Sequence, residues 1–329
     1  MRLMTPLPSY RDLPKVNDLP ASWGLLSSGG PDYFGCLNLM TPEKLVTAAR
    51  LVTRGAVFPL NWSANLPDPP LFGRGRHTHE VIDRPTGHDD VLHAWNTQSS
   101  SQWDGFRHIK NVPNGFYDGV PDEEHGVDHW ARRGIAGRAI LCDVGRWRAA
   151  QGRPLRYGES DVIEPDDILA TLEAQGSPLE TGDVLLMRTG WTKWYETATD
   201  EAKRDELSDR AMLRAPGLPS GERTAEFLWD LHIAAIGADN PGVEVWPQGT
   251  GQDAEQVAEL KANHPERMHE VFAHSLLLPM LGVPLGEMFD LSRLAEDCAA
   301  DGRYACLFVS APLNVPHGVA TPPNALAIK

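Results

Sequence analysis

From residue 139 onward the chain alternates between short apolar runs and capped, helix-period segments, and that alternation limits its fold more than any other feature. AILCDV (139–144), DVLLMRTGW (183–191), IAAIGADN (233–240) and YACLFVSAPL (304–313) have strand length and read as strands. Between and around them, PDDILATLEAQG (165–176), ERTAEFLWDLH (222–232) and LSRLAEDCAADG (291–302, capped by Asp290) read as helices, and MHEVFAHSLLLPML (268–281) as helix-like. Upstream, TPEKLVTAARLVTRG (41–55) is the clearest helix: Thr41 caps it, Pro42 takes the first turn, and Leu45, Ala48, Ala49 and Val52 form an apolar stripe ended by Gly55. AVFPLN (56–61) follows as a strand. The pattern predicts an α/β protein with a mixed sheet and flanking helices. With no internal repeat and no low-complexity linker, residues 1–329 are expected to form a single domain, with 1–40 as an extended N-terminal arm.

Several classes are excluded at this level. A formal net charge of −15, with no run of basic residues, argues against nucleic acid as partner. The first twenty residues hold four prolines and no apolar run, so they do not read as a signal peptide, and nothing approaches the length of a membrane span. Cys36, Cys142, Cys298 and Cys306 are scattered without CxxC pairing, which predicts reduced thiols and a cytoplasmic protein. No glycine-rich phosphate fingerprint follows a strand, so no nucleotide cofactor is expected. Ten tryptophans suggest a large core or a subunit interface.

Two stretches carry chemistry. Residues 62–118 form a long polar segment bearing His77, His79, His88, His93 and His108, and an irregular segment of that length is usually functional. Its densest part, Gln98-Ser-Ser-Ser-Gln102-Trp103-Asp104-Gly-Phe106-Arg-His108, has two carboxamides, a carboxylate and an imidazole. Gln102 and Asp104 share a strand face because they are two apart, and a turn at Gly105 would return His108 beside them. Spacing alone does not lift this above a surface loop with satisfied hydrogen bonds. The second stretch runs from His274 to Glu287 around a wholly apolar segment, where burial of Glu287 would be costly without a cation or partner. A core helix and strand that merely end in His and Glu would account for it equally well.

Taken together, the two stretches resemble the cyclase family of metal hydrolases, which includes kynurenine formamidase, isatin hydrolase and trans-dienelactone hydrolase. The family signature H-x-G-T-H-x-D-x-P-x-H falls with its Asp on Asp104 and its last His on His108. The late His and Glu of the family fall on His274 and Glu287. Gln98 and Gln102 stand where formamidases have histidines, a departure that resembles the dienelactone branch. Asp32-Tyr-Phe-Gly-Cys-Leu-Asn-Leu39, GIAGRAILCDV (134–144), GDVLLMRTGW (182–191) and PPNALAI (322–328) extend the resemblance over most of the chain.

The resemblance implies a swivelling β/β/α fold and one divalent metal, Zn²⁺ or Mn²⁺, on Gln98, Gln102, Asp104, His274 and Glu287. It implies hydrolysis of an amide or ester carbonyl bond, a lactone or other cyclic small molecule included, with His108 as general base and then acid. Trp103 and Phe106 are candidates to shape the substrate pocket, as is Asp239 at a strand end. The other histidines, with His125 and His129, read as ordinary surface or hydrogen-bonded residues. A homo-oligomer (dimer or tetramer) is expected. The competing readings are a non-catalytic metal- or ligand-binding protein on the same fold, and a polyketide-type cyclase or lyase.

Overall fold

The computed structural model describes residues 7–27, 29–197 and 201–329. Its frame is a nine-stranded mixed sheet. In chain order the strands are β1 (Val57–Pro59), β2 (Gln102–Asp104), β3 (Ile135–Cys142), β4 (Val184–Met187), β5 (Ala235–Ala238), β6 (Leu285–Glu287), β7 (Ala305–Ser310), β8 (Ala320–Thr321) and β9 (Ala325–Ile328). Across the sheet they lie in the order β8-β2-β6-β5-β4-β3-β7-β9-β1. The central strands β3 to β6 run parallel, and their neighbours on both sides pair antiparallel.

Parallel neighbours need crossovers, and helices supply them: Pro165–Ala174 between β3 and β4, and Glu222–Asp230 between β4 and β5. β4 and β5 are buried at every position, which explains why VLLM and AIGA show no polar alternation. The architecture is therefore mixed α/β, as the alternation of segments predicts.

Element boundaries depart from expectation for identifiable reasons. β3 starts at Ile135 rather than 139, because antiparallel pairing with β7 continues back to Ile135↔Ser310. β4 stops at Met187 instead of running to 191. The carboxylate of Asp239 accepts the backbone N–H groups of Thr189 (2.7 Å) and Gly190 (2.8 Å), turning the chain into the helix Trp191–Thr197. The helix expected over 268–281 is a short helix His274–Leu277 behind a 3₁₀ turn Pro265–Glu270. Glu244 takes the N–H groups of Ala273 and His274, and Pro279 has no N–H with which to continue it. Within the long polar segment, Thr78–Arg84 and Gly87–His93 form an exposed antiparallel hairpin. Among the described residues no helix is long and apolar enough to cross a membrane.

The return from the His274 helix to β6 passes through Gly282, whose φ of 63° is left-handed. A Cβ there would lie 2.5 Å from the Tyr117 ring, and the Gly282 carbonyl accepts the Cys36 N–H at 2.7 Å. Gly282→Ala is expected to cost about 2–4 kcal/mol, strain plus overpacking. Gly302→Ala, equally left-handed (φ 70°) but in open space, should cost only about 1 kcal/mol. Denaturant midpoints compare the two, and equal losses would contradict the packing argument.

Candidate metal centre

β2 and β6 build the site through their register. Glu287 pairs with Gln102, Gly286 with Trp103 and Leu285 with Asp104. Directly paired residues share a face and residues two apart share a face, so Gln102, Asp104 and Glu287 project to one side. Ser101 locks the two strands at their ends: its hydroxyl donates to the Met288 carbonyl (2.5 Å) and accepts from the Trp62 N–H (2.6 Å). Gly286 keeps the opposite face clear, since a Cβ there would sit 2.9 Å from both Phe289 and Trp103.

The short helix adds His274 from above. One oxygen each of Asp104 and Glu287 and one nitrogen of His274 lie within 4.8 Å of one another, and all three residues are buried. His274 Nε2 faces Glu287 Oε1 at 3.1 Å, while its Nδ1 meets Glu244 Oε1 at 2.6 Å. Glu244 thus fixes the ring so that Nε2 points at Asp104 and Glu287, the carboxylate–histidine arrangement that orients metal-ligating imidazoles. Phe272 stacks on the ring at 4.6 Å.

The carboxamides line the remaining side. Gln98 Nε2 donates to Asp104 Oδ1 at 2.8 Å, and Gln102 Nε2 bridges Asp104 Oδ1 (3.1 Å) and Glu287 Oε2 (2.7 Å). Both amides turn their nitrogens, not their oxygens, to the carboxylates. The turn at Gly105 returns His108 as expected: its N–H reaches the Gly105 carbonyl (2.8 Å) and its Nδ1 lies 3.2 Å from Gln98 Nε2. The ring is about a quarter exposed, and burial, only partly offset by Asp104, lowers its pKa.

This donor set fits a divalent cation. Asp104 Oδ2 is buried with no hydrogen-bond partner among the described residues, 3.9 Å from His108 Nε2 and 4.0 Å from His274 Nε2. An orphaned carboxylate oxygen is expensive unless a positive charge meets it. The titration of the cluster points the same way. Burial, then repulsion from Asp104, pushes Glu287 up to about 7. Burial opposes protonation of His274, but Glu244 and Glu287 outweigh it and push its pKa up to about 10. Burial together with the crowded carboxylates thus favours a positive charge in this pocket. Two carboxylates and an imidazole suit a divalent metal ion.

Three residues predicted to line a substrate pocket lie elsewhere. Trp103 sits between Gln102 and Asp104 and therefore faces the opposite way. It is fully buried, edge-on to Phe289 (5.1 Å) and Phe308 (6.3 Å), with its indole N–H on Ser310 Oγ (3.0 Å). Phe106 packs on Tyr117 (4.8 Å) and Trp130 (5.1 Å). Asp239 is spent on the Thr189–Gly190 turn, one position past Ala238 and on the other face from Glu287. Two residues that sequence reasoning passed over belong to the site: Glu244, behind His274, and Arg74, whose Nη1 reaches the Gln98 carbonyl (2.6 Å) and Gln102 Oε1 (3.4 Å). Neither stands at a ligand-like spacing from the motif. His79 and His93 stay on the exposed hairpin beside Asp90 (3.2 Å) and Glu80 (2.7 Å).

Residues 49–245 match the Cyclase family model, and the chain belongs to that family. A solved structure titled a novel cyclase is 27% identical, with a TM-score of 0.75 over 94% of this chain and 97% of its own. Isatin hydrolase A from Labrenzia aggregata, bound to benzyl benzoate, is 21% identical, with a TM-score of 0.53 over 87% and 97%. Isatin hydrolase A from Ralstonia solanacearum is 15% identical, with a TM-score of 0.55 over 92% and 100%. The isatin hydrolases share the fold. No protein of curated function matches the chain.

Proposed function

We propose that this protein is a metal-dependent hydrolase of an amide or ester carbonyl bond, lactones and cyclic amides included. The observation that carries this reading is the buried, unpartnered Asp104 Oδ2 facing His274 and Glu287 across a gap of cation size. Membership of the cyclase family, and a fold shared with enzymes named for hydrolysing isatin, support it.

Asp104, His274 and Glu287 would hold the ion, and Gln98 and Gln102 would join them as neutral ligands only on turning their amide oxygens inward, since here their nitrogens donate to the carboxylates. A divalent cation supplies Lewis acidity there, polarising a carbonyl and acidifying water. The chain's own residues do the rest. Glu244 Oε1 holds His274 Nδ1, so Nε2 stays aimed into the site. His108 moves the proton, its ring held beside Asp104 Oδ2 and against Gln98 Nε2. Burial lowers the His108 pKa, which favours the neutral ring that a base requires.

The test is a panel of lactones and cyclic amides assayed as purified, after chelation, and after return of Zn²⁺ or Mn²⁺. We expect turnover that follows the metal, with oxygen from labelled water in the product. His108→Ala should lower kcat by about 10²–10⁴-fold with metal content unchanged. Metal uptake without turnover of any panel member would favour the binder, and product lacking the label the lyase or cyclase. We further propose a cytoplasmic homo-oligomer. Four free, buried cysteines support the compartment, and Val81, Val91 and Leu92, exposed on the hairpin, support self-association.

A further inference from the structure

Arg74 stands out among the charged groups of the site. Its guanidinium is half-buried, over the Phe72 ring at 5.1 Å, and Nη1 is taken up by the Gln98 carbonyl and Gln102 Oε1. Among the described residues no carboxylate lies within ion-pair distance of it, and Nε and Nη2 make no hydrogen bond. By contrast Arg148 and Arg188, the other deeply set arginines near the sheet, pair with Asp167 (3.5 Å) and Asp143 (3.0 Å).

The surroundings hold this geometry rather than leaving it to a mobile side chain. Phe72 is a non-glycine residue at φ 62°, and Trp246 packs edge-on against it at 5.1 Å. Arg210 covers the Trp246 ring at 5.3 Å and adds a second positive charge close enough to oppose that of Arg74. Glu287 and Asp104 act on Arg74 more strongly than Arg210 does, yet neither reaches ion-pair distance, so the guanidinium keeps an Nε/Nη2 edge without a hydrogen bond among the described residues beside the candidate metal centre. That edge is the parallel pair of donors that meets a carboxylate in bidentate fashion.

We propose that Arg74 recognises a carboxylate carried by the substrate in addition to the bond that is cleaved. The inference rests on the carbonyl-hydrolase reading of the site and names its substrate class: small anionic esters, lactones or cyclic amides. Without Arg74 the carboxylates of Asp104, Glu244 and Glu287 would repel such a substrate. With it, the anion is oriented while the carbonyl lies toward Asp104 and His274.

Binding tests this without relying on turnover. Benzoate and the three benzenedicarboxylate isomers, which differ from it by one carboxylate, are titrated calorimetrically into the purified full chain, as isolated and after Zn²⁺ addition. We expect at least one isomer to bind 10-fold or more tightly than benzoate. Arg74→Gln should bring the two within about twofold, and Arg74→Lys should keep part of the gain, at an unchanged melting temperature. If Arg74→Gln fails to fold, the Lys variant alone decides, through a gain reduced at least by half. No isomer preferred over benzoate, or a preference that survives both variants, overturns the assignment. An inactive protein that prefers a dicarboxylate would sink the hydrolase reading and leave this one standing.

Discussion

Asp104→Asn is expected to cost the protein its divalent cation and on the order of 10³-fold in kcat/KM while leaving the fold as stable as before, or more so. The asymmetry follows from what Asp104 does. Oδ1 accepts from Gln98 and Gln102, and an asparagine oxygen accepts the same bonds. Oδ2 has no partner, and its charge is one of the causes that push the Glu287 pKa up. Removing that charge relieves Glu287 and takes away a ligand in one step. Elemental analysis, melting temperature and hydrolysis on the same preparation check the three parts together. A variant that kept its metal and its turnover would refute the role of Asp104. One that lost both together with its fold would show Asp104 to be structural.

The largest effect on stability is expected at Trp103. Trp103→Ala empties a fully buried site between Phe289 and Phe308 and removes the indole N–H that Ser310 Oγ accepts, for a loss of about 3–5 kcal/mol. Trp103→Phe, which keeps the aromatic packing, should cost about 1–2 kcal/mol and leave KM for any hydrolysed substrate within twofold. That last clause separates core from pocket: a large change in KM at an intact melting temperature would mean that the indole touches substrate.

Trp103 also marks how far the sequence could be read. The period of two that puts Gln102 and Asp104 on one face puts the residue between them on the other, so its placement was implicit in the argument that found the site. The alternation of strands and helices was legible because β4 and β5 are uniformly apolar and a proline opens the first crossover helix. Boundaries were less so, because distant side chains set them: Asp239 ends β4, and Glu244 with Pro279 shortens the helix that bears His274. The meeting of Asp104 with Glu287 depends on an antiparallel pairing across more than half the chain, which no local pattern encodes. It entered through family resemblance. Arg74 and Glu244 were illegible for the same reason, since each acts on a residue far away in the chain.

Diffraction at the absorption edge of the ion, from crystals grown with Zn²⁺ or Mn²⁺, tests the central claim most directly. The account predicts one anomalous peak within about 2.0–2.3 Å of Asp104, His274 Nε2 and Glu287, with Glu244 still on His274 Nδ1. A peak on the hairpin histidines instead, or none between those three side chains, would contradict it.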